Sequence, residues 1–126
     1  MAGTLVANTI NTDTGLFSTN NAYNGIAKAW VQYNATTQTI NGSFNISSVT
    51  YSATGSFIIN FTTAMSTTNY CVVASGGNTA NSNIAATLGN STFNPSFLTT
   101  SVRVNYDNGS GSNVNPIFAC IAILGA

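Results

Sequence analysis

The side chains that carry acid–base or nucleophilic chemistry are scarce in this sequence. It has two aspartates, Asp13 and Asp107, two cysteines, Cys71 and Cys120, two cations, Lys28 and Arg103, and no histidine or glutamate. A catalytic nucleophile needs a base beside it. Without histidine, neither a Ser-His-Asp nor a Cys-His arrangement can be assembled. Glycoside hydrolysis generally takes two carboxylates at a fixed separation. Here the single pair is split between an N-terminal arm (Asp13) and a turn (Asp107). Two thiolates without histidine do not fill a zinc shell, and Asp107-Asn108-Gly109 reads as a turn rather than a calcium loop. No phosphate-cradling Gly-x-x-x-x-Gly-Lys run occurs, and no Gly-x-Gly-x-x-Gly opens a helix. The expectation is a non-enzymatic chain with no catalytic residues, cofactor or metal.

The same inventory narrows the partners. The 126 residues are 44% hydrophobic with a formal net charge of zero, and Asn, Thr and Ser fill the polar positions. One compact domain with a real core fits that length and composition. Two isolated basic residues cannot neutralise a nucleic-acid backbone or form a polybasic membrane site. No run approaches the ~20 apolar residues of a membrane helix, so no membrane insertion is expected. Met1 to Asn8 lacks a basic n-region and an apolar h-region, and the expectation is no secretory signal. The six sequons, from Asn34 to Asn108, follow from the richness in Asn, Ser and Thr. A surface without net charge tends to associate, which favours burial of part of it in a permanent assembly. Cys71 and Cys120 sit in apolar runs and are expected as buried, reduced thiols. They can pair only if their strands are neighbours, and a cytosolically made protein keeps thiols reduced.

The elements that would position these residues read as strands. Residues 1–22 scatter Leu5, Val6, Ile10, Leu16 and Phe17 without a sustained period, and are expected to be an arm that anchors the chain. Residues 23–126 form the domain. Ile26 to Tyr33 alternates Ile26, Lys28, Trp30 and Gln32 against Ala27, Ala29, Val31 and Tyr33. Asn41-Gly42 and Thr54-Gly55 mark turns. Phe44 and Ile46 are in phase but Val49 is a step out, which suggests a bulge near Ser47-Ser48. Phe57, Ile59 and Phe61 alternate cleanly, Tyr70 to Ala74 is a short apolar run, and Ile84 to Leu88 is a weaker candidate. Leu98 to Tyr106 is the clearest strand, and Ile117 to Leu124 is almost continuously apolar. About seven short strands between turn formers predict an all-β fold, a single β-sandwich or jelly-roll-like domain with an extended N-terminal arm. The aromatics Trp30, Phe44, Phe57, Phe61 and Tyr106 are expected in core or subunit contacts. The Asn- and Ser-rich loops at 76–83 and 107–115 are the better variable contact surfaces. Both faces of 26–33 and 117–124 are largely apolar, which predicts a symmetric closed assembly with Ile121 and Ile123 as candidate contacts.

Three stretches carry a resemblance. They are Asn8 to Gly15 with Tyr23-Asn-Gly-Ile-Ala-Lys-Ala-Trp-Val31; Ser43 to Thr50 followed by Gly55-Ser-Phe-Ile-Ile-Asn-Phe-Thr-Thr-Ala-Met65 and Asn69 to Val73; and Val102-Arg-Val-Asn-Tyr106 with Ile117 to Gly125. Over nearly its whole length the chain resembles small virion structural proteins of marine and cyanobacterial phages, similar to tail-fibre tip domains. The Ala-Lys-Ala-Trp-Val and Phe-Thr-Thr-Ala-Met elements are the specific pair. Ser66 stands where relatives often carry proline after the methionine, which affects a loop. The resemblance implies a virion surface protein assembled in the host cytoplasm, a capsid decoration or a fibre-type appendage, with three copies as a homotrimer and other phage virion proteins as partners. A host-glycan-binding domain of a tail fibre is the alternative. Beginning at its own Met1 without a stalk, the chain is expected to dock directly through residues 1–22.

Overall fold

The computed structural model describes residues 9–12, 15–18, 25–78, 84–89, 94 and 96–125. Among them are ten strands: β1 (Thr9–Thr12), β2 (Gly15–Ser18), β3 (Ala27–Asn34), β4 (Thr39–Phe44), β5 (Ile46–Ala53), β6 (Ser56–Phe61), β7 (Tyr70–Gly77), β8 (Ile84–Thr87), β9 (Ser101–Asn108) and β10 (Phe118–Gly125). Eight of them make two antiparallel four-stranded sheets, ordered β4-β3-β10-β7 and β5-β6-β9-β8, packed as a β-sandwich. β1 and β2 pair only with each other, with Ile10 opposite Phe17 and Asn11 opposite Leu16. The stretch expected to be unpatterned thus holds a hairpin. Strands of four residues are too short to display an alternation that stands out from chance.

Period-2 alternation decides what enters the core. From the first sheet come Ala29, Val31, Tyr33, Ala119, Ile121 and Ile123; from the second come Phe57, Ile59, Phe61, Val102, Val104 and Tyr106. Ring pairs knit the layers, with Phe57 5.5 Å from Tyr33 and Phe61 6.0 Å from Tyr70, while Phe57 also lies 6.1 Å from Tyr106 of its own sheet. Two tyrosines also tie one sheet to the other through their hydroxyls. Tyr106 donates to Ser75 O at 3.2 Å, and the Tyr70 hydroxyl lies 2.9 Å from Leu98 O and 3.1 Å from Ser101 O. Tyr106 needs close approach to reach that far. A β-carbon on Gly76 would meet its ring at 2.7 Å, so only glycine fits there.

The chain changes sheets without a loop at Asn45. Its φ of 56° is left-handed, a region asparagine tolerates. Its side chain fastens the corner: the amide donates to Lys28 O at 3.0 Å and Thr63 O at 3.1 Å, and Oδ1 accepts from Thr63 N at 2.7 Å. β4 therefore ends in one sheet and β5 begins the other.

One reading of local sequence needs correction and one holds. Asn41-Gly42 is not a turn but lies inside β4. Gln32 opposes Gly42 and Tyr33 opposes Ile40, which leaves Asn41 as the extra residue of a bulge. The hairpin turn comes earlier, at residues 35–38, where Asn34 Oδ1 accepts from the amides of Thr36 and Thr37, both at 3.0 Å. The bulge expected near Ser47-Ser48 is present: Ile46 opposes Phe61 and Ser48 opposes Asn60.

The corner yields a test. Asn45→Ala removes three hydrogen bonds and places an intolerant residue at positive φ, and should cost about 3 kcal/mol by denaturant unfolding. Asn45→Gly keeps the backbone conformation and should cost clearly less. Equal losses would mean that the conformation contributes nothing.

The core tyrosines yield a second. Burial raises the phenol pKa of Tyr33, Tyr70 and Tyr106 above 10.0 in the folded state. Below that value both states hold the proton, and the contribution to stability is complete. Above it the unfolded chain ionises first, so stability falls as pH rises toward the folded values. With no histidine and two aspartates, little opposes folding on the acid side. The melting midpoint should be level from mildly acid to mildly alkaline pH and drop beyond pH 10; a midpoint that stays level well above pH 10 contradicts this.

Candidate binding surfaces

The antiparallel frame sorts the connections to two ends. Residues 35–38, the 54–55 turn and the 109–117 loop lie at one end, where β7 also finishes opposite Phe118 and β8 starts opposite Asn108. The chain enters β3 at the opposite end, which also holds Asn45, residues 62–69 and Gly125. One eight-residue strand, roughly 27 Å, separates the ends. Of the two loops singled out from sequence, 107–115 is at the first end and 76–83 leaves from it, though residues 79–83 lie outside the described residues.

At this loop end the backbone is fixed by its own polar groups. Asn108 Oδ1 accepts from the amides of Ser110 (3.0 Å) and Ser112 (2.9 Å), so Asn108 organises a turn. Asn115 Oδ1 accepts from Gly55 N at 2.8 Å, and Ala35 N donates to Pro116 O at 2.9 Å. Gly55 has φ 69°, and a β-carbon there would lie 2.5 Å from Tyr106 O. Tyr51 stands beside this knot with its hydroxyl 3.2 Å from Thr54 Oγ1. Hydrogen bonds to Thr54 and then Asn115 lower its pKa. An aromatic ring beside a hydroxyl and an amide is chemistry that can stack on and orient a sugar.

The outward faces of the two sheets differ. On β5-β6-β9-β8 the outward residues include Ser48, Thr50, Asn60 and Arg103, and the Asn60 amide donates to Ser48 Oγ and Thr50 Oγ1, each at 3.0 Å. The cross-strand pair Ser56 and Asn105 is fully buried, and its side-chain polar atoms have no hydrogen-bond partner among the described residues. On β4-β3-β10-β7 the outward face is apolar. One cross-strand row runs Phe44, Trp30, Ala122, Val73, and the next runs Gly42, Gln32, Cys120, Ser75. Phe44, Trp30 and Val73 are 56, 43 and 54% exposed, and Phe118 on the same face is 48% exposed. The indole lies across Gly42, at 3.5 Å from where a β-carbon would be. Beside it a groove of about 290 Å³ opens over Cys120 and Ala122, bounded by Trp30 and Val73.

Several sequence expectations are corrected here. Ile121 and Ile123 are 4% and 0% exposed, and both belong to the core of this chain. They share a parity, and β10 presents Phe118, Cys120 and Ala122 outward instead. The aromatics expected in core or subunit contacts divide, with Phe57, Phe61 and Tyr106 in the core and Trp30 and Phe44 on the surface. Cys71 and Cys120 are exposed free thiols, because both fall on the outward parity. Their strands are neighbours, but Cys71 opposes Leu124 and Cys120 opposes Ser75. That offset of four residues is about 13 Å along the strand, beyond disulfide reach. Of the proposed anchor residues, Leu5 and Val6 lie outside the described residues. Ile10, Leu16 and Phe17 lie in the β1–β2 hairpin.

Among the described residues, no group of three or more His, Cys, Asp or Glu is placed to hold a metal ion, and no helix is long and apolar enough to cross a membrane. No protein-family model, curated protein or solved structure matches the chain.

Proposed function

We propose that the chain is a non-enzymatic surface component of a bacteriophage virion, a capsid decoration or a fibre-type appendage. It assembles as a homotrimer in the host cytoplasm and docks to other virion proteins through its N-terminal arm. The observation that carries this reading, beside the sequence resemblance, is the polarity of the sandwich. The arm joins at one end, and the knotted loops at 35–38, 54–55 and 109–117 crown the other. Such a domain can be held at its base while its tip faces outward. The β1–β2 hairpin is hydrogen-bonded into neither large sheet, so it is available as a separate docking element.

A host-glycan-binding role for a tail-fibre domain is the second reading, and Tyr51 with Thr54 and Asn115 at the loop end is what favours it. On a glycan array the isolated domain should then show a signal that Tyr51→Ala abolishes. An array without signal removes this reading and leaves the structural one.

The structural reading is tested on purified virions by counting the chain against the major capsid protein. Symmetric decoration implies copies on the order of hundreds per particle, and an appendage on the order of tens. Deleting residues 1–20 should leave the sandwich folded and abolish incorporation. Absence from virions overturns the proposal, and full occupancy by the truncated chain overturns the anchor.

A further inference from the structure

We infer that the outward face of the β4-β3-β10-β7 sheet is where one copy of this chain packs on the next, the Phe44–Trp30 ridge of each copy seated in its neighbour's Cys120–Ala122 groove. The inference rests on the homotrimer part of the reading above and supplies the contact surface that reading leaves open. It needs nothing from the virion assignment.

Size is the first argument. Four strands ~4.8 Å apart and eight residues long at ~3.4 Å per residue give a face roughly 19 by 27 Å, a flat footprint of about 500 Å². Side-chain relief carries that toward the ~800 Å² per partner of a stable interface. It is comparable with the largest patch of a typical monomer, ~300–600 Å², which is often a functional surface.

Chemistry chooses the occupant. The face carries one charged residue, Lys28, near the end where the chain enters. An acidic or basic partner would find nothing to pair with across Phe44, Trp30, Ala122 and Val73. The surface that fits an uncharged ridge beside an uncharged groove is this same face on another copy. The bulky side chains stand on β4 and β3, and the small ones, Ala122, Cys120 and Ser75, on β10 and β7. In a ring, the bulky half of each copy meets the small half of the next, which is a heterologous contact that closes. Three faces of ~19 Å width enclose a triangle whose centre is about 5 Å from each sheet, half the ~10 Å separation of packed sheets. One layer of side chains from each copy fills that space.

The cysteines make the surface readable without mutation. Cys71 and Cys120 both lie on it and are exposed in the single chain. The experiment combines light scattering of the purified chain with the rate of maleimide labelling at each thiol. The expected result is three times the monomer mass and labelling of both thiols slowed about tenfold or more relative to the unfolded chain. Trp30→Glu and Val73→Lys change exposed positions and should each give a folded monomer, by circular dichroism, whose Cys120 labels fast. Thr50→Glu, on the outward face of the other sheet, should leave the mass unchanged. A trimer that survives Trp30→Glu and Val73→Lys with Cys120 labelling freely overturns this interface and leaves the trimer standing. A monomer with fast thiols at high concentration overturns both, as does a monomer whose Trp30 is protected only by added glycan.

Discussion

Between Phe44 and Ile46 the chain must leave one sheet and start its counterpart with a single residue to turn on. Residues 39–53 form one nearly unbroken extended run, yet its halves belong to layers that face each other. Ordinary extended backbone would carry β5 onward in the plane of β4. A left-handed residue breaks the direction, and Asn45 can adopt that conformation while its amide bridges Lys28 O on one sheet and Thr63 beyond the end of the other. The corner fixes which edges of the two sheets lie together. The rest of the order follows by antiparallel pairing outward from it, β3 beside β4 and β6 beside β5.

Once that corner is set, side-chain parity is set with it. In β10 both parities are apolar, so burial alone does not choose between them. The choice falls to the partners across the core. Phe57, Phe61 and Tyr106 supply bulk from the second sheet, and most facing positions are filled by the smaller Ala29, Val31, Ala119, Ile121 and Ile123, with Tyr33 and Tyr70 the exceptions. Large residues opposite small ones keep the layers close. Trp30, Phe44 and Phe118 are left on the outside, where nothing among the described residues covers them to completion.

Sequence reading reached what local pattern encodes and stopped where pairing decides. Phe57, Ile59 and Phe61 and the run from Val102 to Tyr106 announced their inward faces by clean alternation, and the phase slip before Val49 announced the bulge at Ser47. For Ile117 to Leu124 there was no alternation to read. A one-residue shift exchanges the two faces, so assigning Ile121 and Ile123 to a neighbour's surface had no local safeguard. Asn41-Gly42 has the composition of a turn, but a bulge also favours glycine, and the polar turn former that works is Asn34. Asn45 looked like one sequon among several, because its role depends on Lys28 and Thr63, distant in sequence. The loop end was partly legible from its Asn and Ser content. The apolar face was legible only as a need, since a chain with four charged residues and no net charge tends to bury part of its surface.

That need is sharpened by the sheet edges. Proteins commonly guard edge strands with lysine, proline, bulges or brevity, and this chain has too few charges for the first device. β4 carries the bulge at Asn41, β5 carries register slips at Ser47 and Ser52, and β8 has four residues. β7 has none of these protections. It runs eight residues in unbroken register against β10 and, among the described residues, is paired on one side only. It also borders the small half of the apolar face, where Val73 and Ser75 flank the groove. The regular edge and the open face therefore meet along one border of the molecule. A long, uncharged edge beside an uncovered apolar face is a liability in a free monomer and an asset in a closed ring, where each neighbour's Phe44–Trp30 ridge lies over that border and leaves no strand free to recruit a further chain.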